Sequence, residues 1–89
     1  MSREPKSKRS RNFLHIIDDM IKHIDEYTVP QYGDAPNDSI EYWLAIDCVK
    51  NIEKYVKRFG KNQRKGQAKL DMLKIIHYAQ LAYDKIEEE

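Results

Sequence analysis

Apolar residues recur along this chain in three separated stretches, each with the alternating steps of four and three that mark an amphipathic helix. In the first, Phe13, Ile17, Met20, Ile24 and Tyr27 keep to one face, and Leu14, Ile16 and Ile21 widen it. Ser10 or Asn12 offers a cap for its start. The second stretch carries Ala45, Val49, Ile52, Val56 and Phe59 on one face. Asn37-Asp38-Ser39 precede it as capping chemistry, and Gly60 follows as a natural stop. The third repeats the spacing through Met72, Ile76, Ala79, Tyr83 and Ile86, with Leu70, Leu73 and His77 flanking the stripe.

The segments between these stretches resist helix. Residues 28–37 contain Pro30, Gly33 and Pro36, which fix φ, remove a donor or raise backbone entropy, so a loop is expected there. Residues 61–66 form a polar, basic turn. Residues 1–10 have no side chain able to anchor a core and read as a flexible basic arm, leaving 11–89 as a single helical domain. The expected fold is all-α, with three main helices forming a small bundle, closed within one chain or completed by dimerisation. The breadth of the third stripe suggests a homo-oligomer, or else a helix that faces two partner helices within one bundle.

Composition sharpens this picture. Eighty-nine residues make a core that yields only a few kcal/mol of net stability, so self-association would help. The apolar share of 40% and the charged share of 35% fit a charge-rich folded domain, because the apolar residues are periodic. The net charge of +1 hides an asymmetry. Lys50, Lys54, Lys57, Arg58, Lys61, Arg64, Lys65, Lys69 and Lys74 face only Glu53 and Asp71 in the same stretch, whereas residues 84–89 are mostly acidic. The single cysteine, Cys48, has no internal partner and reads as a small buried hydrophobe, which points to a reducing, cytoplasmic setting. No run of eighteen apolar residues appears, so no membrane span is expected.

Candidate chemistry concentrates in the second half. On a helical wheel Asp47, Asn51, Lys54 and Arg58 fall together, opposite the apolar stripe, with Tyr55 at the edge. Such a row is either an ordinary solvated face or a phosphate site, with Lys and Arg as charge-assisted donors and Tyr as a stacking surface for a base. The turn that follows, bounded by Gly60 and Gly66, adds Lys61 and leads into a helix N-terminus able to receive an anion. It lacks the order of a Walker A loop. On the third helix Asp71, Lys74 and Tyr78 share a face. Asp71 suits a Mg²⁺ ion or the role of a base beside a phosphate, and more often such a residue is a carboxylate favoured in the first turns of a helix. His77 beside them reads as a boundary residue, and neither His15 nor His23 has the neighbours of a metal site. The paired carboxylates of all-α nucleotide pyrophosphohydrolases are matched only by Asp38/Glu41 and Asp84/Glu87, both at helix ends.

Residues 51–61 (NIEKYVKRFGK), a short basic insert and residues 69–78 (KLDMLKIIHY) together resemble the SaV-like family of small phage and prophage proteins. That family shows N-x-x-KY-x-x-R, a polar gap and then DL-x-K-x-x-x-Y. Met72 stands where the family has leucine, and the first helix has no counterpart in the pattern. The resemblance covers about the second half of the chain. It implies that Asn51, Lys54, Tyr55, Arg58, Asp71, Lys74 and Tyr78 are the motif positions. It also implies kinship with a phage nucleotide kinase that lacks a P-loop and phosphorylates deoxynucleoside monophosphates.

Two functions follow as expectations. One is nucleotide binding of the nucleoside-monophosphate-kinase type, with Lys54, Arg58 and Lys61 on phosphates and Asp71 positioning Mg²⁺. The other is a non-enzymatic helical module whose basic patch binds nucleic acid or a protein partner.

Overall fold

A computed structural model describes residues 3–34, 42–61 and 64–88, with the backbone alone described at 87 and 88. The chain is all-α: α1 spans Lys8–His23, a π-helical turn follows over Ile24–Thr28, α2 spans Val29–Tyr32, α3 spans Ala45–Arg58 and α4 spans Gln67–Glu88. The capping residues expected at 37–39 and the Asp38/Glu41 pair lie outside the described residues. No helix among the described residues is long and apolar enough to cross a membrane. The chain divides into two compact units, Met1–Asp34 and Ala35–Glu89, where the sequence suggested one helical domain.

In the first unit the helix starts earlier than its apolar pattern does. The hydroxyl of Ser7 accepts from the backbone N–H of Ser10, and the hydroxyl of Ser10 accepts from the N–H of Ser7, each at 3.0 Å. This reciprocal box satisfies two of the donors a helix start leaves open and draws Lys8–Ser10, expected in the arm, into α1. The other end also differs from expectation, because helix continues through the proline segment. The N–H of Val29 bonds back to the carbonyl of Ile24, a five-residue step that widens the turn immediately before Pro30. A wider turn relieves the clash between a proline ring and the carbonyl four residues earlier. Gly33, at φ 90°, then ends the helix. Within this unit His23 is buried, its ring 5.1 Å from that of Tyr27.

The second unit is a hairpin of α3 and α4. The backbone N–H of Leu44 donates to a carboxylate oxygen of Asp47 at 2.9 Å, fixing the start of α3. Phe59 leaves helical geometry at ψ 129°, and Gly60 and Gly66, at φ 80° and 83°, turn the chain into α4. The helices run antiparallel, since Tyr55 near the end of α3 meets Lys74 near the start of α4, while Cys48 near the start of α3 feels the charge of Lys85 near the end of α4.

The faces in contact are not the expected apolar stripes. Cys48 and Tyr55 from α3 and Gln67, Asp71 and Ala82 from α4 are buried, whereas Val49, Val56, Phe59, Met72, Tyr83 and Ile86 are exposed. Both helices are turned by about a quarter turn from the orientation their apolar spacing suggested. The reason is visible in α3, where Cys48, Ile52 and Tyr55 form a second line with the same four-three spacing. That line carries Tyr55, whose ring stacks on Tyr78 of α4 across the hairpin.

Candidate functional site

Five of the candidate residues gather where α3 and α4 pack together. The ring of Tyr55 lies 6.0 Å from that of Tyr78 at an interplanar angle of 25°, and Tyr78 lies 6.3 Å from Trp43 at 16°. The three rings form an offset ladder between the helices, at separations typical of stacked aromatic pairs. Tyr55 is 8% exposed, so the open stacking surface expected for a base is turned inward.

Around Tyr55 three cations converge. Lys54 Nζ sits 4.9 Å from the ring centroid, the Arg58 guanidinium carbon 5.4 Å and Lys74 Nζ 5.4 Å. Each is within reach of a cation–π contact. Lys54 and Arg58 are exposed on α3 and Lys74 is half-buried on α4, so the cluster draws on both helices. Cations brought together in this way suit a multiply charged anion such as a phosphate group.

Asp71 is occupied differently. It is 1% exposed, and its Oδ1 accepts from Gln67 Nε2 at 2.8 Å, while the carbonyl oxygen of Gln67 accepts from the Arg64 guanidinium at 2.9 Å. Among the described residues no group of three His, Cys, Asp or Glu is placed to hold a metal ion. The Asp71 carboxylate is thus turned into the hairpin and held by Gln67. The Asn51 side-chain amide donates back to the carbonyl of Asp47 at 3.1 Å, within its own helix. Lys61 is exposed on the turn and outside the aromatic cluster. Of the eight candidate residues, five form one cluster: Lys54, Tyr55, Arg58, Lys74 and Tyr78.

Two contributors escaped the sequence reading. Trp43 extends the aromatic ladder from outside α3, which no helical pattern reveals. Gln67 stands four residues before Asp71, a spacing that places the two side chains together on a helix and was available as a signal.

Two titrations are displaced. Burial pushes the Cys48 thiol above its ordinary value, aided by nearby Asp47 and opposed by Lys85. Burial lowers the pKa of His77. In the first unit an open groove of about 920 Å³ is lined by residues of the N-terminal segment and α1, including Arg3, Arg9 and Phe13, and by none of the eight candidates.

Comparison with protein-family models, with curated proteins and with solved structures gave no match.

Proposed function

We propose that this chain binds the phosphate groups of a nucleotide through Lys54, Arg58 and Lys74, with Lys61 on the adjoining turn extending the positive field. The observation that supports the reading is the convergence of three cations from two helices on one aromatic ring. A solvated helix face scatters its charges, whereas phosphate recognition requires them close together. The likeness of these positions to the SaV-like motif adds the expectation of a phage-type nucleoside-monophosphate kinase. Phosphoryl transfer depends chiefly on positioning and charge neutralisation, which such a cluster can provide. In this reading the Tyr55–Tyr78 stack holds the two helices together so that the cations meet.

The test is calorimetric titration of the full chain with deoxynucleoside mono- and triphosphates. Lys54→Ala and Arg58→Ala are each expected to weaken binding by roughly ten- to a hundredfold, the range for a lost charged hydrogen bond. Unchanged affinity in both variants would sink the proposal.

A second reading has its own observation. Lys57, Lys61, Arg64, Lys65 and Lys69 are all exposed near the turn, which suits a nucleic-acid backbone better than an isolated nucleotide. Binding to single-stranded or duplex DNA that weakens steeply with salt, without a response to nucleotides, would select it.

A further inference from the structure

We propose that one side of the α3/α4 hairpin is a self-complementary docking surface for a second copy of this chain. Helical geometry puts six exposed, largely apolar residues of the two helices on the same side. Going round α3, the line of Val49, Val56 and Phe59 lies about a quarter turn from the Cys48/Tyr55 contact face, in the direction of advancing sequence. Going round α4, Met72, Tyr83 and Ile86 lie about a quarter turn from the Asp71/Ala82 contact face, also in the direction of advancing sequence. Because the helices are antiparallel, equal rotations carry both lines to one side of the hairpin. Lys54 and Arg58 fall on the opposite side.

These six side chains are exposed by 38% (Val49), 57% (Val56), 49% (Phe59), 39% (Met72), 67% (Tyr83) and 63% (Ile86). Together they present on the order of 600 Å² of largely apolar surface, at the upper end of what a monomer shows and close to the roughly 800 Å² per partner of a stable interface. The hairpin's own interior is correspondingly thin. Among described residues the buried hydrophobics are Cys48, Tyr55 and Ala82 alone. Two helices closed over so small a core gain from a further apolar layer, and the area of this face, close to what each partner of a stable dimer buries, fits a second copy of the chain. Two antiparallel stripes also suit a two-fold axis. The α3 stripe of one copy can lie on the α4 stripe of the other, and the reverse, giving a four-helix arrangement.

The proposal is independent of phosphate binding, since its residues and the cations occupy opposite sides of the hairpin. Sedimentation of the full chain between about 1 and 100 µM tests it, because mass action makes a dimer dilute away. A dimer is expected, and Val56→Glu and Tyr83→Glu should each weaken association by at least about a hundredfold with helicity retained, as for a charge placed in an interface core. Lys50→Glu, away from this side, should leave the dimer intact. A wild-type chain that stays monomeric throughout, its apolar face then being covered within one chain, overturns the proposal. So does an assembly that persists in both glutamate variants. If both variants unfold, the unaltered protein decides: a melting midpoint that falls on dilution supports the dimer, and one independent of concentration overturns it.

Discussion

Gln67 and Asp71 meet one helical turn apart inside the hairpin, with the Gln67 amide nitrogen 2.8 Å from Asp71 Oδ1 and exposures of 4% and 1%. A carboxylate this deep is tolerable only while it is hydrogen-bonded. Gln67 is committed on both sides, because its carbonyl oxygen accepts from Arg64. The chain Arg64–Gln67–Asp71 thus ties the turn before α4 to the body of that helix.

Replacing Asp71 with alanine strands the Gln67 amide and opens a void, and should destabilise the hairpin by about 2–3 kcal/mol. Asp71→Asn retains an acceptor oxygen and should cost less. Urea unfolding followed by the fluorescence of Trp43, the only tryptophan, measures both. A neutral Asp71→Ala variant would show that the network contributes nothing to holding the turn.

Tyr55 links the aromatic ladder to the three cations, so its substitutions separate packing from charge. Tyr55→Phe keeps the ring and should change stability by less than about 1 kcal/mol. Tyr55→Ala should cost about 3–5 kcal/mol. Under the phosphate-binding reading, Tyr55→Phe also keeps nucleotide affinity, since the cations still have a ring to lie over. A Tyr55→Phe variant that folds normally and loses binding would instead give the hydroxyl a direct role.

The all-α class and the long third helix were legible because Met72 to Ile86 repeats with helical period and Gly66 stands before it. The start of α1 was hidden, since a Ser-x-x-Ser box carries its signal in side-chain hydrogen bonds rather than in apolar spacing. Pro30 was read as a break, but the residue alone does not reveal that a π-turn ahead of it makes room for the ring. The packing of the hairpin was the largest surprise. Cys48, Ile52 and Tyr55 form a weaker apolar line than Val49, Val56 and Phe59, and the stacking of Tyr55 on Tyr78 of α4 is what the spacing within α3 does not show. Single-sequence periodicity ranks faces by hydrophobicity and has no access to complementarity. At the candidate site it identified the cations and the aromatic residue, yet Asp71 reads alike as an exposed ligand and as a buried hydrogen-bond acceptor.

Cys48 is 0% exposed, and burial raises its thiol pKa, so the reactive thiolate is scarce and inaccessible. Modification by a disulfide reagent should therefore proceed only through opening of the hairpin. An opening free energy of about 3 kcal/mol slows the reaction roughly a hundredfold relative to the unfolded chain. Low concentrations of urea should accelerate it. Reaction at the unfolded rate under native conditions would mean that α3 and α4 separate freely, and the contacts of Tyr55 with Tyr78 would then hold little.

His77 provides the pH dependence. Its folded-state pKa is lowered from the ordinary 6.5 by burial, so the unfolded chain takes up a proton at a higher pH than the folded one does. Above pH 6.5 the imidazole is neutral in both states and contributes no slope. As pH falls below 6.5 the unfolded state binds more protons, and stability declines until the folded-state pKa is reached, where the loss levels off. His77→Gln should remove this part of the slope while leaving the stability near pH 8 within about 1 kcal/mol, because a half-buried polar side chain replaces another of similar length. Chemical unfolding at a series of pH values between about 5 and 8 distinguishes the two proteins. Parallel curves for wild type and His77→Gln across that range would show that the imidazole keeps its solvent-like pKa in the folded hairpin, and that the loss of stability in acid belongs to the carboxylates.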